Sequence, residues 1–213
     1  MRPKDHKQIE NSQPAVVTPL HRHARKSWSA STSILHVRGA SHPEFPLERL
    51  CWHASETFQL TFARNAQLLL LMRKDVEAAA SHHGLAIRAE TEDAIDAAIV
   101  ILKDLHGPSL RIGPPTIRYH QGSSLEQPWM ELRVECSPDH LDGVTADLLD
   151  REATIVSCDF ETARCLILAR APLASLLGYR SCLETLTAGA ARLAMRLSHY
   201  APIESPPPDG QAA

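Results

Sequence analysis

The side chains best suited to metal binding or nucleophilic chemistry in this 213-residue chain are twelve histidines and five cysteines. The thiols, Cys51, Cys136, Cys158, Cys165 and Cys182, are odd in number, widely spaced and free of any CxxC pair. That pattern suits reduced, buried thiols in a cytoplasmic protein rather than a disulfide framework. The closest histidine groupings, His21/His23, Cys51/His53 and His82/His83, do not repeat at the spacing of a zinc site, so no metal or cofactor is expected. Asp139, His140 and Asp142 could be written as an acid/base cluster, but they fall in the first turn of a predicted helix, where the dipole favours acids. Cys136, Cys158 and Cys165 lie on predicted strands with no histidine nearby in sequence to activate a thiolate. Ser31 and Ser33 sit in a stretch without periodic structure. No G-x-x-x-x-G-K-[ST] loop occurs to cradle a triphosphate, and no N-K-x-D element to read guanine. Residue chemistry alone therefore points away from an enzyme.

Bulk properties exclude little else. The chain is 44% apolar and 22% charged, with a formal net charge of −3. Its longest apolar stretch, Ala66 to Met72, is broken at Gln67 and is far shorter than the roughly 20 residues of a membrane span. Charge is uneven, however: residues 1–50 carry 8 Lys and Arg against 4 acids, whereas residues 51–213 carry 14 against 21. The first 50 residues, rich in Pro, Ser and His, read as a basic, mostly disordered arm. Residues 205–213, opening on Pro206-Pro207-Pro208, read as a tail.

Two α/β sandwich modules are expected between them, giving an α+β protein. In residues 55–122, Phe58, Leu60 and Phe62 alternate with polar residues as a half-buried strand would. A helix is predicted from Asn65 through Val76 to Gly84, a short strand at Leu85 to Ala89, and a second helix capped by Thr91. That helix presents Ile95, Ala98, Ile99, Leu102 and Leu105 on one face and ends at Gly107. Leu110 to Tyr119 returns as extended chain bent at Pro114-Pro115.

Residues 125–204 show the cleaner pattern. Met130, Leu132, Val134 and Cys136 alternate with Glu131, Arg133 and Glu135, a strand with one wet side. Ser137 and Pro138 open a helix with a buried stripe of Leu141, Val144, Leu148 and Leu149. Strands near Ala153 to Cys158 and Arg164 to Ala169 flank a turn at Asp159 to Thr162. A helical stretch from Leu173 to Leu186 is interrupted at Gly178, and a last strand alternates Leu193, Met195 and Leu197 with Arg192, Ala194 and Arg196. This β-α-β-β-α-β order is the ferredoxin-like split βαβ arrangement.

Read as a string, residues 125–204 resemble domain V, the C-terminal domain of elongation factor G and related translational GTPases. Leu125-Glu126 with Pro128 and Met130 is similar to the family's L-E-P-x-M opening, with Gln127 inserted. Asp147-Leu148 and Arg151 match D-L-x-x-R-x-G, with Ala153 in place of the glycine. Pro172-Leu173, Gly178-Tyr179, Leu183, Leu186-Thr187, Gly189, Met195 and Tyr200 fit the family's P-L-x-x-x-x-G-Y-x-x-x-L-x-x-L-T-x-G-x-x-x-x-x-M-x-x-x-x-Y without a gap. Upstream, Ile112 to Tyr119 resembles the V-G-x-P-x-V-x-Y strand that ends domain III. The G-M-G-E-L-H-L element of that domain is absent, and one strand of its split βαβ is not evident in the sequence.

The resemblance implies a relative of the C-terminal half only, without the GTPase and translocation domains. The direct join between the modules is similar to translational GTPases that lack domain IV. It implies a non-catalytic, translation-associated cytoplasmic protein whose partner is the ribosome, both ribosomal RNA and protein, with room for a GTPase in trans and no membrane partner. The residues placed to make such contacts are Arg151, Tyr179, Arg180, Arg192 and Arg196. Pro172, Leu173, Gly178, Leu183, Thr187, Gly189, Met195 and Tyr200 read as structural. Two alternatives stand beside this: a regulatory protein-interaction module that kept the fold and lost the ribosome, and a truncated remnant of a longer factor.

Overall fold

A computed structural model describes residues 35–37, 43–161 and 163–203. Both modules are βαββαβ units. The first comprises β2 (Leu47–His53), α1 (Gln59–Leu70), β3 (Val76–Ser81), β4 (Gly84–Ala89), α2 (Glu92–His106) and β5 (Leu110–Gln121). The second comprises β6 (Leu125–Cys136), α3 (Leu141–Asp150), β7 (Thr154–Glu161), β8 (Arg164–Pro172), a helix split into α4 (Leu173–Leu176) and α5 (Tyr179–Leu186), and β9 (Arg192–Pro202). A three-residue strand, β1 (Leu35–Val37), pairs in parallel with β5.

The strand order repeats: β5-β2-β4-β3 in the first module and β9-β6-β8-β7 in the second. In each, the first strand lies between the third and the last, the ferredoxin-like arrangement. A β5–β6 hairpin, His120 opposite Glu126 and Gln121 opposite Leu125, joins the two into one nine-stranded sheet.

The first module departs from its sequence reading in three places, each for a local reason. Phe58 to Phe62 is not a strand: a short 3-10 turn at Glu56–Phe58 leads into α1, and Phe58 is exposed. A five-residue window cannot separate period 2 from period 3.6, and Phe62, Ala66 and Leu70, all buried, follow the helical spacing. The predicted helix from Asn65 to Gly84 ends at Leu70, with Asn65 in its interior, and Val76–Ser81 is a strand. Its alanines favour helix in isolation, but pairing in register with β4, Val76 opposite Ala89 and Ser81 opposite Gly84, overrides propensity. Gly84 closes that hairpin rather than a helix. The strand not evident in the sequence is Leu47–His53, which runs through the expected boundary at residue 50.

Elsewhere the pattern and the structure agree on the elements and differ in detail. Buried Ile95, Ala98, Ile99 and Leu102 line α2, but Leu105 in its last turn is exposed. Likewise Val144 and Leu148 are buried on α3 while Leu149, turned about 100° further round the helix, is exposed. Thr91 and Ser137 occupy cap positions in extended backbone without side-chain cap hydrogen bonds. β5 continues past Pro114-Pro115, where a register shift opposite Arg49 and Cys51 accommodates the missing donors. β7 reaches Glu161, so most of the expected turn at 159–162 is strand; Thr162, residues 1–34 and 38–42 of the expected arm, and the tail from residue 204 lie outside the described residues. No helix among the described residues is long and apolar enough to cross a membrane.

Candidate functional site

The sequence-predicted contact residues fall into two groups with different surroundings. The first is gathered where α3 ends and α5 begins. Arg151, one residue beyond α3, donates from Nε to Asp147 Oδ2 at 2.8 Å and from Nη1 to the Ser175 carbonyl at 2.9 Å. Its guanidinium carbon lies 5.1 Å from the centre of the Tyr179 ring, a cation–π distance. Only 21% of the side chain is exposed, so this arginine pins α3 to the split helix. Tyr179 is fully buried and its hydroxyl has no hydrogen-bond partner; burial pushes its pKa far up, with Asp147 adding to the effect and Arg151 opposing it. It packs as a core ring.

Arg180 faces the other module. Its Nη2 pairs with the Asp93 carboxylate in the first turn of α2 and donates to the Leu193 carbonyl at 3.3 Å. Two neighbouring acids complete a clasp that sequence reading missed. Glu92 Oε2 accepts from the Gly178 N–H at 2.7 Å, and Glu90 Oε1 accepts from the Leu197 N–H. Glu92 and Asp93 are legible in the sequence as acids favoured by the α2 dipole; their partners, more than 80 residues away, are not.

Gly178 has a structural reason to be glycine, with φ +72° between α4 and α5. Burial raises the Glu92 pKa, with the Gly178 hydrogen bond opposing it. A carboxyl raised in the folded state contributes stability at acid pH that is lost as pH rises through the raised value. The melting temperature of the protein relative to Glu92→Gln should therefore climb as pH falls from neutrality towards about 4; a flat difference would mean that Glu92 is not held in this environment. Arg180→Ala and Asp93→Ala, both partly exposed, should show a coupling of about 0.5 kcal/mol in a double-mutant cycle measured by urea unfolding.

The second group stands on the wet face of the second sheet. Arg196 donates to Glu131 Oε1 at 2.6 Å and is 71% exposed; Arg192 is exposed at the start of β9, in register with Glu135. This is the part of the candidate set free to meet a partner.

The motif residues serve the fold. Pro172 ends β8 and precedes α4, and Leu173 and Leu183 are buried. Thr187, fully buried, donates to the Leu183 carbonyl at 2.7 Å and accepts from the Ala191 N–H at 3.2 Å, which closes α5. At Gly189 φ is +77° and the N–H returns to the Glu184 carbonyl at 2.8 Å. Met195 is half-buried on the inner face of β9, and the Tyr200 hydroxyl donates to the Pro43 carbonyl at 3.1 Å, tying the end of β9 to the chain that enters β2.

Cys51, Cys136 and Cys165 are buried. Burial pushes the Cys51 thiol up to about 11 and raises that of Cys136, while Cys158, exposed, is also raised. No group of three or more metal-ligating side chains that could hold an ion occurs among the described residues.

Comparison with known proteins agrees with this architecture. Residues 124–210 match the family model described as Elongation factor G C-terminus. Ribosome-releasing factor 2, mitochondrial, of Danio rerio is 38% identical over 84 residues, 39% of this chain and 11% of that protein. Elongation factor G of Aquifex pyrophilus is 37% identical over 76 residues, 36% of this chain and 11% of that one. The chain thus spans about a tenth of the length of these relatives. A crystal structure of ttk003000868 from Thermus thermophilus superposes over 78% of this chain and 42% of its own with a TM-score of 0.53 and 14% identity, a likeness of fold that extends beyond the second module. With its βαββαβ order, its collinear motif and this family match, the second module is an elongation factor G C-terminal domain.

Proposed function

We propose that this is a non-catalytic, translation-associated cytoplasmic protein that binds the ribosome through its second module. The observation that carries the reading is the match of residues 124–210 to the C-terminus of elongation factor G, a protein named, like ribosome-releasing factor 2, for work in translation. In this reading the module works by binding, and a GTPase acting in trans would supply any nucleotide hydrolysis. The first module, βαββαβ like the second, is the counterpart of domain III in this reading. Arg192 and Arg196 supply accessible charge for the contact, whereas Arg151 and Arg180 position the helices behind it.

The chain should co-sediment with ribosomes at low salt and be released as salt rises, because contacts to phosphate and to charged protein are screened. A chain that remains wholly in the supernatant at low salt refutes the proposal and favours the protein-interaction alternative.

A further inference from the structure

The outer face of β9-β6-β8 carries an arrangement that fold maintenance does not require. Along β6, Glu131 lies in register between Arg196 of β9 and Arg170 of β8, and it is paired with both, at 2.6 and 3.8 Å. Two rows away, Glu135 lies opposite Arg192 and is paired with Arg133 at 2.9 Å and Arg164 at 4.0 Å. The carboxylates sit low, 27–28% exposed, under guanidiniums that are 49–71% exposed. What the face presents outward is therefore arginine. Five of the 14 basic residues of the acidic stretch 51–213 are collected here, and acid returns only at the β7 edge, at Asp159 and Glu161.

Four further observations define the partner. The spaces between the arginines are apolar, filled by half-buried Leu166 and Leu168 and by Ala194. Three shallow depressions of the described surface lie on this face. Every base is Arg and none is Lys, the preference of protein–protein interfaces. No aromatic ring lies within these rows to stack a nucleobase, as single-stranded nucleic-acid binders require, and Trp129 beyond them is already stacked on His199.

We propose that this face docks an acidic protein surface whose carboxylates engage the exposed arginines while an apolar centre covers Leu166 and Leu168. The proposal deepens the ribosome reading, because both use Arg192 and Arg196, and it assigns that contact to protein rather than to RNA.

The test is fluorescence anisotropy on the full chain with two labelled probes of equal charge, poly-L-glutamate and poly(U), at low salt. Poly-L-glutamate should bind roughly tenfold more tightly than poly(U). Arg192→Gln/Arg196→Gln should weaken it by a similar factor. Glu131→Gln/Glu135→Gln should instead strengthen it, because it frees the guanidiniums; a merely structural pair of glutamates would not produce that gain. Tighter binding of poly(U), or poly-L-glutamate binding that the arginine variant leaves unchanged, overturns the proposal. If the chain sediments with ribosomes but ignores poly-L-glutamate, the partner chemistry fails and the ribosome reading stands. If it binds poly-L-glutamate through these arginines but never sediments with ribosomes, the reverse holds.

Discussion

Gly84→Ala should lower the melting temperature by about 10 °C, because a single Cβ meets two separate obstacles at that position. At φ +127° the backbone lies in a region that only glycine enters freely, which costs a side chain of order 1–3 kcal/mol. The added carbon would also collide with the Cys51 carbonyl oxygen of β2 and press on Trp52 Cβ at 3.0 Å, so β2 and β4 would have to part where they pair. Overpacking of that kind costs about 1–3 kcal/mol more, and each kcal/mol lowers the transition by roughly 2–4 °C at this chain length. Gly107→Ala is the control. It too has positive φ, +50°, with ψ −131°, a region that glycine alone enters freely, so it carries a similar backbone cost of about 1–3 kcal/mol, but open space around a Cβ removes the overpacking. Equal shifts for the two variants in calorimetry would show that the close approach at Cys51 is not real.

Arg151→Glu should be the most damaging change among the candidate contact residues, and for a reason unrelated to any partner. It places a carboxylate beside Asp147, removes the donor to the Ser175 carbonyl and strips the cation from the Tyr179 ring. Loss of charge-assisted hydrogen bonds in a site that is only one-fifth exposed costs about 2–4 kcal/mol. Thermal melting should fall accordingly, and ribosome co-sedimentation should decline only in step with the unfolded fraction. Arg192→Gln/Arg196→Gln should do the opposite, with stability within about 0.5 kcal/mol of the starting protein, because only exposed ion pairs are lost, and co-sedimentation sharply reduced. If Arg151→Glu melts normally yet abolishes co-sedimentation, Arg151 belongs to the contact surface after all.

The two modules were not equally legible in the sequence. β6 and β9 could be read residue by residue because each buries one face only, so hydrophobicity reports orientation directly at Met130 to Cys136 and at Leu193 to Leu197. The α2 helix was readable for the same reason, at the helical period. The β2 strand was hidden because it lies between two others in its sheet and carries Glu48 and Arg49, whose charges are satisfied by Arg88 at 2.6 Å and Asp96 at 2.9 Å, partners remote in sequence. Alanines 78–80 concealed β3 because local propensity and tertiary pairing disagree there. At the site, the sequence supplied the arginines but not their directions. Whether Arg151 points inward depends on Ser175 and Tyr179, and whether Arg196 points outward depends on Glu131, and neither relation follows from spacing along the chain.

The position of each module's last strand also bears on synthesis. Because β5 pairs with β2 and β9 pairs with β6, neither sheet is complete until its final segment has been made. A nascent chain halted before Leu110 would expose one side of β2, and one halted before Arg192 would expose one side of β6, each an unpaired edge of the kind that recruits other strands. The first module, once β5 has emerged, offers β6 a hairpin partner at Glu126 and a docking point for Arg180 at Asp93. Maturation should therefore run from the amino-terminal module forward, with truncation products aggregating rather than accumulating as soluble half-proteins.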